Sequence, residues 1–153
     1  MRRLKNPLLL GTYLSAKLPL AAIAGVRVSR LDADVCEATI PFRWRSQNPF
    51  GSIYFAALTM AAEMSCAGLA LAAGRSGPKP MSVLPTHLEA DFFKKAKSLT
   101  TFRCSDGPKF FAAAEEARQT GQGVVVNSVT EGRDADGVLV ARLAIDWSFK
   151  EKR

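Results

Sequence analysis

Apolar positions change their period along this chain, and the changes mark its elements. From Val35 to Phe42 they alternate, with Cys36, Ala38, Ile40 and Phe42 on one side and Val35, Glu37, Thr39 and Pro41 on the other. A period of two with one apolar side predicts a strand lying over a core. From Gly51 to Ala73 the run is apolar on every side, and Glu63 is its only charge. A helix without a polar face must be covered on most sides. Gly74, Gly77, Pro78 and Pro80 end it. Strand character then returns over Val83–Phe93, Ser98–Cys104, Val124–Glu131 and Val138–Phe149, the last two joined by the turn GRDADG. A short helix is expected over Lys109–Thr120, entered through Asp106-Gly107-Pro108 and closed by Gly121. Nearer the N-terminus, Leu4–Leu18 reads as a helix broken at Pro19, Val26–Leu31 as a short strand, and Arg43–Phe50 as a loop. Strands joined by short turns pair antiparallel. One long buried helix and one curled antiparallel sheet make an α+β domain, here a single unit over 1–153.

Composition narrows the function classes. A chain of 153 residues with 48% apolar and 23% charged side chains builds a real core and is not disordered. The net charge of +7 favours anionic partners: nucleic acid, anionic lipid, or a phosphorylated small molecule such as coenzyme A. It also fits a merely solvated basic surface. Aromatic-rich RNA-binding signatures are absent, and no nucleic-acid partner is expected. Lys94, Lys95 and Lys97 form the one close basic group. Three widely spaced cysteines with no CxxC, and a single histidine, His87, exclude the usual zinc spacings. Buried reduced thiols and a cytoplasmic location are expected. Gly51–Ala73 is long enough to cross a bilayer, but Glu63 at its middle and its Ala-rich composition argue against a membrane span. The start MRRLKNPLLLGTYLSA has the outline of a signal peptide, but Lys17 and Pro19 interrupt it. It reads instead as a helix lying on the domain.

Glu63 is the first candidate for chemistry. A carboxylate in an apolar helix costs on the order of several kcal/mol unless it is paired, protonated or solvated. A buried Arg partner, a wet dimer seam or a catalytic role would each offset that cost. The stretch NPFGSIYFAALTMAAE, Asn48 to Glu63, resembles the motif of hotdog-fold thioesterases of the phenylacetyl-CoA type. That motif has an Asn, His-Gly-Gly six residues on, and an acid nine residues past the His. Asn48 and Glu63 match the Asn and the acid, while Tyr54 replaces the His and Phe55 and Ala56 replace the glycines. The stretch is also similar to a little-characterised hotdog branch, matched here at Asn48, Gly51, Ser52, Ile53 and Glu63.

The resemblance implies a hotdog fold and an acyl-CoA thioesterase. In that reading Glu63 activates water, the Phe55 backbone N–H receives the oxyanion, and Asn48 orients water or carbonyl. Read on its own, Asn48 is equally an N-cap before Pro49. Tyr54 either touches substrate or packs in the core, with packing expected. Lys94, Lys95 and Lys97 would meet the nucleotide phosphates or form a solvated turn. No cofactor is implied beyond the coenzyme A moiety of the substrate, and no metal. A non-catalytic acyl or acyl-CoA binder is the alternative, and a basic membrane or nucleic-acid binder the third. Cys66 is a poor nucleophile, with only His87 to serve it, and His87 is expected at a surface or interface. Phe55 and Glu63 lie eight residues apart, about 12 Å along a helix axis. One carboxylate cannot bridge that span, so a shared site on a homodimer, or a dimer of dimers, is expected.

Overall fold

The structure is a computed structural model that describes residues 17–152. The helix expected over Leu4–Leu18 therefore lies almost wholly outside the described residues. Helix α1 (Pro19–Ala24) leads into strands β1 (Arg27–Leu31) and β2 (Cys36–Ile40), then the long helix α2 (Phe55–Gly74) and strand β3 (Met81–Phe92). Strand β4 (Thr100–Cys104), helix α3 (Gly107–Thr120), and strands β5 (Val124–Arg133) and β6 (Leu139–Glu151) complete it. All six strands form one antiparallel sheet in the order β1-β2-β4-β5-β6-β3. Strands β1 and β3 are therefore its two edges.

The sheet curls around α2, as the uniformly apolar pattern requires. Cys36, Ala38 and Ile40 point inward and are fully buried, the face the alternation assigns. Ala61, Ala62, Ala70 and Ala73 of α2 are also fully buried, and their small side chains let the strands close on the helix. Phe102 and Phe149 fill the space between the strands and α2. Gly132 makes room for Phe102, since a Cβ there would stand 2.5 Å from its ring. Truncating such a buried ring costs about 3–5 kcal/mol. Helix α3 packs Phe110, Ala114 and Ala117 against the second half of α2. Its Arg118 Nη2 donates to the Ala73 carbonyl (3.0 Å), satisfying one of the acceptors left open at the end of α2.

Buried hydroxyls and the Trp147 ring nitrogen are matched inside the core, while Arg118 Nε is buried without a hydrogen-bond partner. Ser65 Oγ donates to the Ala62 carbonyl (2.7 Å) and lies 2.8 Å from the Thr130 hydroxyl. Trp147 Nε1 donates to Ser128 Oγ at 3.2 Å. All three cysteines are buried free thiols. Cys36 faces Cys104 across β2 and β4, and burial pushes its thiol up to about 12. Strand ends differ from expectation by one or two residues at several places, and two helix starts differ as well. Helix α3 begins at Gly107 rather than Lys109, with Pro108 in its first turn. Helix α2 begins at Phe55 rather than Gly51, and the loop before it explains why.

Candidate active site

Asn48 organises that loop. Its Oδ1 accepts from the backbone N–H groups of Phe50 (3.0 Å) and Ser52 (3.2 Å). Its Nδ2 donates to Ser52 Oγ (3.0 Å) and to the Ile53 carbonyl (3.3 Å). This is side-chain-to-backbone turn chemistry. Gly51 completes the turn at φ 73°, a left-handed value that glycine adopts without strain. Asn48 thus caps a turn rather than the helix, which corrects the reading of it as an N-cap. The Ile53 N–H then donates to the Ala96 carbonyl (2.8 Å) and the Tyr54 N–H to the Ser46 carbonyl (2.7 Å). Tyr54 itself is the N-cap residue, extended at φ −61°, ψ 134°. The N–H groups of Phe55, Ala56 and Ala57 consequently have no acceptor within the helix.

The Ile53–Ala96 bond also fixes the basic loop beside the helix start. Asn48, Tyr54, Phe55, Phe92, Lys94 and Lys95 line one cleft of about 590 Å³. Lys95 Nζ donates to the Phe50 carbonyl at 3.0 Å. Lys97 is exposed but does not line this cleft. The rings of Tyr54, Phe55 and Phe92 meet edge to face, with centroids 5.0 and 6.1 Å apart. They remain 47%, 57% and 44% exposed. Tyr54 therefore does not pack in the core, contrary to the expectation, because the face of the helix start that carries it is uncovered.

Glu63 opens into a different cleft. Two turns into α2, it lines a cavity of about 280 Å³ floored by Ala67 and Leu71. The walls come from both sheet edges, Val28 and Leu31 of β1 and Val83 and Pro85 of β3. Loss of solvent holds the Glu63 carboxyl above the ordinary carboxylate range. Among the described residues no hydrogen bond or ion pair reaches it. Cys66 points away from this cavity into the core, fully buried. Hydrogen bonding with Cys104, and then burial, hold its thiol well above the usual value, so it is no nucleophile. His87 is exposed on β3, 3.5 Å from Glu89. No group of three or more metal-ligating side chains occurs among the described residues.

Sequence reasoning named Asn48, Tyr54, Phe55, Lys94 and Lys95 of the first cleft but only Glu63 of the second, and not the meeting of β1 and β3 over it. Pro85 inside a strand pattern was the available signal, because proline within sheets is confined to edges and bulges. Indeed the β3–β6 register shifts between Pro85 and His87.

A family model described as a domain of unknown function, DUF4442, matches residues 8–149. The chain belongs to the DUF4442 family. No curated protein matches this DUF4442 chain. Solved structures do. A protein of unknown function from Pseudomonas aeruginosa, described as a probable thioesterase, is 21% identical with a TM-score of 0.82, over 95% of this chain and 97% of that one. A protein of unknown function from Chlorobaculum tepidum is 13% identical with a TM-score of 0.80, over 95% and 97%. A thioesterase from Haemophilus influenzae is 17% identical with a TM-score of 0.67, over 95% and 91%. At these identities the likeness establishes the fold: this DUF4442 chain is a hotdog domain.

Proposed function

We propose that the chain is an acyl-CoA thioesterase whose site is shared between two copies. The observation that carries this reading is Glu63: a carboxyl in a mostly apolar cavity, reached by no hydrogen bond or ion pair among the described residues and shifted toward neutrality. Such a group serves as a general base near neutral pH. Glu63 takes a proton from water as the water oxygen attacks the thioester carbonyl carbon. The resulting oxyanion accepts from the Phe55 N–H at the start of a second copy's α2. Collapse expels the coenzyme A thiolate, which takes up a proton. Lys94 and Lys95, with Lys97 beside them, suit the phosphates of the nucleotide.

The edge strand supports a homodimer. In register, Leu88 pairs with Ile145 and Phe92 with Ala141, both inward-facing and fully buried. Leu88 and Phe92 share that inward side yet are 43% and 44% exposed. A second copy joined along β3 would cover them and bring a second helix start toward Glu63. A non-catalytic acyl-CoA binder is the second reading, and one observation favours it. The Asn48 amide is consumed inside its own loop, so it does not orient water.

The test is hydrolysis of acyl-CoAs by the wild type and by Glu63→Gln. Turnover that falls about 10²–10⁴-fold in the variant supports the enzyme. Equal rates in both proteins overturn the role of Glu63. Acyl-CoA binding without turnover in either selects the second reading.

A further inference from the structure

We infer that the cavity beside Glu63 is a measuring groove for an unbranched acyl chain of about eight to twelve carbons. The inference rests on the thioesterase reading of the same site and names its substrate class. Glu63, Ala67 and Leu71 follow one another at four-residue steps along α2, so the groove runs along the helix axis. Leu71 lies about 12 Å beyond Glu63 at 1.5 Å per residue. Tetrahedral carbon with bonds near 1.5 Å advances ~1.25 Å per atom when extended, so about ten carbons reach from the carboxylate to Leu71. The cavity, about 280 Å³, is large enough to admit such a tail.

Apart from Glu63, Lys17 and Arg75 the lining is apolar, which suits an alkyl chain. Ala67 and Gly68 give the floor almost no relief. Gly68 admits no side chain, since its Cβ would stand 2.8 Å from Cys36 Sγ. The walls are aliphatic on both sides, Val28 and Leu31 facing Val83 and Pro85. Beyond Leu71 the exposed Arg75 ends the apolar surface.

Two variants shorten the groove at known distances. Ala67→Phe places a ring about 6 Å from Glu63 along the axis, leaving room for about five carbons. Leu71→Trp, at a 41% exposed position tolerant of bulk, closes only the far end. The readout is kcat/KM over acyl-CoAs from acetyl to hexadecanoyl. The wild type should peak between octanoyl and dodecanoyl, at least tenfold above butanoyl. Ala67→Phe should remove that peak while sparing acetyl and butanoyl, and Leu71→Trp should lower dodecanoyl more than octanoyl. If Ala67→Phe loses its cooperative thermal transition, Leu71→Trp decides alone. An optimum at acetyl or at an aromatic acyl group overturns the inference, as does an optimum that neither variant moves. Should no acyl-CoA be hydrolysed, the thioesterase reading falls, and binding of non-hydrolysable S-alkyl-CoA thioethers then judges the groove. Affinity rising about fourfold per methylene and levelling near ten carbons supports it. Affinity independent of chain length overturns it.

Discussion

The two clefts along α2 are built on opposite principles. The cleft at the helix start is aromatic and pinned: Asn48 spends its whole carboxamide on the loop, and Lys95 donates to the Phe50 carbonyl. What it exposes is backbone N–H and aromatic edges. The cleft at mid-helix is mostly apolar and carries one carboxyl that no hydrogen bond or ion pair reaches among the described residues. Each holds half of what thioester hydrolysis requires, and a single helix keeps the halves about 12 Å apart. On the proposed reading, function would depend on which surfaces meet between chains rather than on side chains gathering within one.

The sharpest way to break that comparison is to delete one N–H. Proline is tolerated at the first helical position, and Tyr54 already has the extended conformation that a following proline demands. Phe55→Pro should therefore fold while losing the donor. Its kcat should fall about 10²–10³-fold, with Phe55→Ala as the control that retains the N–H. Exchange between Phe55→Pro and Glu63→Gln chains should restore roughly a quarter of wild-type activity, because half the dimers are mixed and each carries one intact site. No recovery from demonstrably mixed dimers would place both halves of the chemistry on one chain.

A smaller effect concerns pH. The folded protein holds Glu63 above its ordinary pKa, so ionisation opposes folding. The associated stability is present at low pH and is lost as pH rises from the ordinary carboxylate value through the raised folded one. Glu63→Gln does not titrate. Its melting temperature should match the wild type near pH 4 and exceed it by roughly 2–5 °C at pH 8, and an equal gap at both values would contradict the burial argument. The smallest effects belong to the lysines. Lys94→Ala and Lys97→Ala should each raise KM a few-fold at low salt, and the difference should vanish at high salt. A change that persists in high salt would point to loop damage instead.

Much of the fold could be read from the chain because burial and period coincide. The alternation at Cys36, Ala38 and Ile40 marked the inner face of β2, and the lone charge of Glu63 stood out against an apolar helix. The start of α2 was misread because Asn48–Pro49 looks like a cap and first turn. The same amide serves an Asx turn equally well, and only the backbone at Gly51 tells the two apart. Tyr54 was assigned to the core because an aromatic residue beside a buried helix is usually inside. Its cover, if it has one, lies outside the described chain, and a periodic pattern carries no information about that. The cavity between β1 and β3 was invisible because its walls are the first and last strands of the sheet, 52 residues apart at Leu31 and Val83 and never paired to each other.

Strand β3 is at once an open edge and, through Val83 and Pro85, a wall of the groove. On the proposed homodimer, these two duties would make assembly and ligand binding reciprocal partners. If the joined edge steadies the wall, a tail lodged against the wall must strengthen the join by the same factor. Dilution would then cost activity per chain, and saturating ligand would give it back.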